Sequence, residues 1–405
     1  MSSNSETSLA LEYHNKTKHS YWSVRTAPHY LDWENKPSPF KVYPELDPIQ
    51  LPRELVRTNV AAFEAIGFKA IELDSEAVPD LDRLAAILFF SAGVTRHKQY
   101  PGGEIFFRAA ACAGALYPVE TYVVTREIEG LGAGVYHFNP GDFSLRRLRE
   151  GDFRSYVARS AGDEASLAAA PVILIYTAIS WRSSWKYRAR SYRYHFWDNG
   201  MIVANALALC KAHSLPAKLV MGFEDQAINK LIGIDGESEL SLSLLAIGSD
   251  PGGSAGDGRE TEVSEIDHRS IPLSSQQVDQ PNIFNMHRAS SFVDSAEAAI
   301  WRSVSHEETS QAPPGDIVVL ASVLPESVPA ITIEDVILRR ASTRRFARKA
   351  IRSEELALLL NRAAETVPAD FLTGAGMHLN DIYLIANRVE GLEQGAYFFN
   401  YRELR

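Results

Sequence analysis

The stretch Arg108-Ala-Ala-Ala-Cys-Ala-Gly-Ala-Leu-Tyr-Pro-Val-Glu120 combines a fixed positive charge, a run of small residues and a stiff exit. Small side chains let a backbone approach a flat ligand, and Gly114 can adopt conformations closed to residues with a Cβ. Tyr117-Pro118 restricts the way out, and residues 121–125 read as a buried strand. Such a loop suits a planar anionic cofactor; taken alone, it equally reads as a tight structural turn.

A second group is Lys186-Tyr-Arg-Ala-Arg-Ser-Tyr-Arg-Tyr194, with five cations between Arg182 and Arg193. If the segment is helical, Lys186, Arg190 and Arg193 share one side at spacings of four and three. This is either a solvated face with snorkelling stems or a site that joins an amine, a phenol and fixed positive charge. In the second case, crowding by arginines favours the neutral lysine, which becomes a usable base. The third group, Arg340-Ala-Ser-Thr-Arg-Arg-Phe346, sets two arginines around a hydroxyl, which suits a phosphate or a charged helix cap. A looser equivalent is Lys16-Thr-Lys-His-Ser20, with Arg25 beyond.

The elements around these groups follow from periodicity. Leu81, Leu84, Ala85, Leu88 and Ala92 fall at helical spacing before Gly93, a natural stop. Residues 134–138 and 143–148 form a short hairpin, 172–176 a fully apolar strand, 199–212 a helix and 240–247 a last strand. The chain has 405 residues, 45% hydrophobic and 23% charged, as in a globular protein. A net charge of −10 argues against bulk nucleic-acid binding but not against an anionic small cofactor. The two cysteines, Cys112 and Cys210, lack metal-ligand spacing and form no disulfide framework, so a reducing cytoplasm is the expected setting. The polar N-terminus lacks a signal-peptide core, and no apolar run long enough for a membrane span is present. Phosphate-binding Gly-rich loops, a nucleophile elbow and zinc motifs are missing. The histidines are read as structural.

Residues 1–50 are expected to form an irregular arm, rich in aromatics and interrupted by prolines, that packs on a body at 51–250. Residues 251–330 read as a linker or poorly packed excursion, with a flexible stretch at 252–258. A second body follows at 331–405. It repeats the first: residues 120–139 and 381–400 share eight identities at a constant offset of 261, as between Gly130 and Gly391. The pattern points to a tandem duplication. The second copy is incomplete, with Ala363-Ala-Glu-Thr-Val-Pro-Ala-Asp-Phe-Leu-Thr-Gly-Ala-Gly376 in place of the small-residue loop.

Together these motifs resemble the nitroreductase superfamily, and within it the SagB-type dehydrogenases, flavin oxidases of thiazole- and oxazole-forming peptide pathways. Arg108 to Glu120 is similar to the family's R-x-A-P-S-A-G-A-L-Y-P-x-E loop, with Ala111 for proline and Cys112 for serine. Lys186 to Tyr194 matches K-Y-x-x-R-x-x-R-Y throughout. Arg340, Ser342, Arg344 and Phe346 match the R-x-S-x-R-x-F motif that holds the FMN phosphate, and residues 222–233 resemble the segment after the central helix.

The resemblance implies an α+β fold, a nitroreductase-like mixed sheet wrapped by helices with a partial second copy. It implies FMN as cofactor and oxidation of azoline rings to azoles in a modified peptide. Lys186 or Tyr187 would take a proton from carbon while hydride leaves to flavin N5, with Arg188 and Arg190 lowering the phenol's pKa. Cofactor contacts are implied for Arg108, Cys112, Ala113, Gly114 and Leu116 in the loop, and for Arg25, Arg96, Arg190 and Gly222 elsewhere. The implied partners are a peptide or small-molecule substrate and a cyclodehydratase. The FMN site would lie between two subunits of a homodimer, or the half-domain would fill the partner's place within one chain. The alternatives are an NAD(P)H-dependent nitro- or quinone reductase and a flavin-free scaffold in a peptide-modification complex.

Overall fold

Apolar runs with β-branched residues build the centre of the molecule. A computed structural model describes residues 7–26, 29–66, 75–100, 103–252, 263–304, 313–320, 328–372 and 379–400. The strands are β1 (Pro48–Gln50), β2 (Val94–Tyr100), β3 (Gly103–Arg108), β4 (Val119–Thr125), β5 (Gly134–Asn139), β6 (Ser144–Glu150), β7 (Val172–Ile179), β8 (Ala217–Val220), β9 (Glu239–Ile247), β10 (Ile382–Ala386) and β11 (Gly395–Phe399). Seven of them form one sheet in the order β1-β6-β5-β4-β7-β9-β8, and β2-β3 and β10-β11 are separate hairpins. Each neighbouring pair in the large sheet is antiparallel. The parallel element of the expected mixed sheet is a bridge from Leu219 to Ala369 at the β8 edge.

Every residue of β4, β7 and β9 is buried, because helices cover both faces. On one face Val119, Val123, Leu174 and Tyr176 pack with the helices Leu81–Ala92 and Ser191–Ala212. On the other, Tyr122, Val124, Ile173 and Ile175 meet Val157, Leu167, Ile228 and Leu231. Alternation in β9 changes parity midway. Leu240 and Leu242 face the first cluster, then Leu245 and Ile247 do, because the pairing with β7 skips from Ser243 to Ser241 between Tyr176 and Thr177.

The segment 1–50 is more ordered than its prolines suggested. It holds the helices Thr7–Thr17 and Tyr21–Thr26, and residues 38–43 reach the sheet at its interior strands β4 and β9. Lys41 is buried there, its ammonium 2.6 Å from Glu239 and donating to the Tyr122 hydroxyl at 2.8 Å. Residues 263–304 likewise carry two helices, Pro281–Ser290 and Ser295–Ser303, with Ile283 and Ala298 buried. Most of the Gly-rich stretch at 252–258 lies outside the described residues, as do 373–378 of the second copy's loop.

The C-terminal segment is fastened to the body. Ile333 and Ile337 of the helix Ile333–Arg339 enter the main core, and Glu334 accepts hydrogen bonds from the Thr58 amide and hydroxyl at 2.8 and 2.7 Å. The hairpin β10-β11 reproduces β4-β5 at the 261-residue offset. Thr121 pairs with Phe138 and Ile382 with Phe399; Gly130 and Gly391 both have positive φ. Tyr136 donates to the Gly132 carbonyl and Tyr397 to that of Glu393, both at 2.8 Å. Surroundings differ: Tyr122 is fully buried, whereas Tyr383 is 68% exposed.

A chain of buried charges runs beneath the loop that follows β3. The Arg182 guanidinium, fully buried, bonds Glu120, whose other oxygen lies 2.6 Å from His137 Nε2. Burial would push Glu120 up, but Arg182 and His137 prevail and hold it well below the usual carboxylate range. Since its folded-state pKa lies below the ordinary 4.5, this contribution is complete above that pH and fades as pH falls through it. Glu120→Gln is expected to lower the unfolding free energy by about 3–5 kcal/mol at neutral pH. Denaturant titrations should show the deficit shrinking as pH falls below 4.5, where the carboxyl of the unfolded parent chain takes up a proton before that of the folded one does.

Candidate active site

The loop between β3 and β4 is strained. Gly114, Ala115 and Tyr117 have φ of 67°, 54° and 51°, and left-handed backbone costs roughly 1–2 kcal/mol for a residue with a Cβ. Its surroundings hold it in place. Asp198, on the helix Ser191–Ala212, accepts from the Ala113 amide at 2.9 Å and from the Cys112 thiol at 3.1 Å. Cys112 Sγ in turn accepts from the Tyr117 amide at 3.1 Å. Arg182 donates to the Tyr117 carbonyl at 3.1 Å, and the Tyr117 hydroxyl accepts from the Arg108 amide at 3.1 Å.

Lys186 and Tyr187 end the helix Ser180–Tyr187 and face this loop. A Cβ added at Gly114 would stand 2.6 Å from the Tyr187 hydroxyl and 3.3 Å from Lys186 Nζ. Only glycine leaves room for the pair at that point. The supporting helix is held from the arm: Trp185 Nε1 donates to the Asp32 carbonyl at 2.8 Å, and Trp33 packs edge-on against Trp185.

The loop, Lys186, the β2-β3 hairpin and the C-terminal segment enclose a cavity of about 740 Å³, within the range of small-molecule sites. Among the described residues its walls carry Arg96, Lys98, Arg108, Lys186, Arg340 and Arg344 but no Asp or Glu. In a chain of net charge −10 this is a concentrated positive lining. The third basic motif, 340–346, therefore meets the loop of the first copy: Arg340 donates to the carbonyls of Arg108 and Ala109 at 3.1 and 3.0 Å, and Ser342 and Arg344 join the wall.

Of the residues expected at a cofactor, Arg96, Arg108, Cys112 and Gly114 line this cavity. Arg108 is buried, and its guanidinium donates to the Val119 and Pro39 carbonyls at 3.2 and 2.6 Å. Ala113 presents its amide to Asp198, and Leu116 packs with Trp181 and Trp185. Neither of these two lines the cavity, and three more expected residues lie away from it. Arg190 donates to the Thr17 carbonyl at 2.6 Å and to the Tyr194 hydroxyl at 3.0 Å. Gly222 donates to Asp370 at 3.0 Å beside Arg302, and Arg25 lies over the Tyr21 ring at 3.8 Å.

The single helical face expected for Lys186, Arg190 and Arg193 does not form. The helix stops at Tyr187, Arg188 adopts φ of 49°, and a new helix starts at Ser191. The break parts the cations: Lys186 turns to the cavity, while Arg190 and Arg193 bind the helix Thr7–Thr17. The Tyr187 phenol is also not activated by neighbouring arginines. Burial, followed by Tyr194, Cys112 and Asp198, raises its pKa, so it stays protonated.

Asp198 was not singled out from sequence. A lone acid inside a helical run resembles any solvated position, and only the returning loop gives it partners. Burial raises Asp198 despite its two bonds; burial and this neighbouring acid push the Cys112 thiol up.

The chain's relationships agree with this arrangement. The nitroreductase family pattern matches residues 72–249. Over 168 residues the chain is 30% identical to the nitroreductase-named protein MJ1384 of Methanocaldococcus jannaschii, covering 42% of this chain and 80% of that one. The chain belongs to the nitroreductase family. It is also 29% identical over 213 residues to the trifolitoxin-processing protein TfxB of Rhizobium leguminosarum, a match covering 49% of this chain and 55% of that protein's length. A crystal structure of a nitroreductase-like protein from Anabaena variabilis superposes with a TM-score of 0.68 at 22% identity, covering 96% of this chain and 76% of that one, which shows the shared fold. No described helix is long and apolar enough to cross a membrane.

Asp198→Asn keeps an acceptor for the Ala113 amide and removes the charge beside the thiol. Alkylation of Cys112 by iodoacetamide at fixed pH is expected to accelerate severalfold, with fully buried Cys210 as the unreactive internal control. An unchanged rate would show that Asp198 does not restrain the thiol.

Proposed function

We propose that the chain is an FMN-dependent oxidoreductase of SagB type, which oxidises azoline rings in a modified peptide to azoles. The observation that carries this reading is the approach of Lys186 and Tyr187 to Gly114, beside a cavity lined, among the described residues, by six cations and no acid. The residues fit the cofactor. The small-residue loop at Cys112, Gly114 and Ala115 forms one wall of the cavity and offers backbone against which a flat ring can lie. Arg340, Ser342 and Arg344 supply donors for a phosphate. Bound FMN supplies the two-electron acceptor that conversion of an azoline to an azole requires. The similarity to a trifolitoxin-processing protein supports a peptide substrate, and a cyclodehydratase that makes the azoline is the partner this chemistry calls for.

The protein's part is position and proton transfer. Tyr187, kept protonated by burial, acts as a hydrogen-bond donor beside the turn. Lys186 is then the member of the pair that accepts the proton leaving the azoline carbon. Arg182 and Asp198 act from behind, by fixing the turn against which the reacting groups are held.

Purified protein supplied with FMN should show bound-flavin absorbance. Lys186→Ala and Tyr187→Phe should retain it while losing roughly 10²–10⁴-fold in azoline turnover. Arg344→Ala should weaken FMN binding about tenfold or more. Normal flavin reduction by an azoline peptide in both Lys186 and Tyr187 variants would remove the catalytic assignment. Rapid bleaching by NADPH with no response to the peptide would favour a nitro- or quinone reductase.

A further inference from the structure

The positive lining exceeds what a cofactor phosphate needs, and the excess lies on one element. Alternation along β2 turns Arg96, Lys98 and Tyr100 to the cavity. The other face carries His97, stacked on Phe106 at 4.9 Å and 3.3 Å from Glu104. That contact engages the hairpin's one acid. Across the pairing, Arg96 stands opposite Phe107 and Lys98 opposite Ile105, so neither cation is neutralised within the hairpin. The C-terminal segment supplies Arg340, Ser342 and Arg344 for a phosphate, and the Arg108 guanidinium is engaged with backbone carbonyls. Among the described strands, β2 pairs only with β3 and leaves its outer edge open.

We propose that Arg96 and Lys98 form a substrate-recognition subsite for an extended acidic peptide segment, one with carboxylates two residues apart next to the ring being oxidised. The proposal rests on the functional reading above and moves Arg96 from the cofactor to the substrate. An extended chain shows every second side chain on one face, about 7 Å apart. Arg96 and Lys98 have that same spacing along their own strand. Charge complementarity fits an acidic partner, and an open strand edge fits main-chain pairing.

The test uses the full chain loaded with FMN and two short fluorescent azoline peptides, identical except for a Glu-x-Glu or Gln-x-Gln flank. Binding is read by fluorescence anisotropy, without turnover. The parent should bind the Glu peptide about three- to tenfold tighter at low ionic strength, and the preference should shrink as salt is added. Arg96→Ala/Lys98→Ala should abolish the preference while leaving FMN affinity, titrated separately, unchanged; Lys98→Ala alone should remove part of it. Equal binding of both peptides by the parent, or a preference that survives the double substitution, overturns the proposal. Loss of FMN from the double variant overturns it too, by returning Arg96 to the cofactor. Loss of NADPH-driven bleaching with peptide binding intact does the same, by assigning the subsite to a nucleotide phosphate. A parent that takes up no flavin would sink the functional reading, while the two peptides still report on the charge preference.

Discussion

The structure turns on a loop that does not hold its own shape. Three residues within four positions, Gly114, Ala115 and Tyr117, have left-handed backbone. Two of them carry a Cβ and pay for it in conformational energy. What keeps them there is a set of groups from other parts of the chain: Asp198 on the amide of Ala113, Arg182 on the carbonyl of Tyr117, and the Cys112 sulfur on the amide of Tyr117. Arg182 is itself fixed by Glu120 and His137 inside the sheet. Sheet, buried charges and helix are therefore parts of one clamp, and its product is a surface on which an amine and a phenol meet a residue with no side chain.

The clamp also explains the distribution of charge. Cations close together in sequence separate in space according to the backbone break at Arg188. Arg182 lies in the core, Lys186 faces the cavity, and Arg190 and Arg193 hold the N-terminal helix. A cluster that reads as one basic patch thus does three jobs. The cavity recruits its remaining cations from β2, from Arg108 at the end of β3 and from the C-terminal segment.

Much of this was legible from residue order. The strands at 119–125, 172–179 and 239–247 are apolar runs covered on both faces, and burial on both sides leaves a continuous hydrophobic signal. The small-residue loop, the Lys186-Tyr187 pair and the Arg340 motif were visible because each combines unusual residue types at fixed spacing. The helix Thr7–Thr17 was not visible: it buries only Tyr13 and Thr17, and its position depends on Arg190 and Arg193, more than 170 residues away in sequence. The helices at 281–303 were hidden for a similar reason, with few buried side chains in a polar stretch. The kink at Arg188 has no local signature, and Asp198 acquires meaning only when the loop returns to it. The role of Gly222 as an amide donor to Asp370 likewise depends on a contact 148 residues distant.

The bonds from Arg340 to the carbonyls of Arg108 and Ala109 span more than 230 residues of chain. Bringing such remote segments together carries a loop-closure entropy of about 5 kcal/mol, offset by Ile333 and Ile337 in the core. An anion seated between the two walls behaves as a reversible cross-link. By mass action it strengthens the docked arrangement by about 2.7 kcal/mol at a hundredfold excess over its dissociation constant. Filling of the cavity by an anion and attachment of the last fifth of the chain would thus be one coupled equilibrium, approached from two ends.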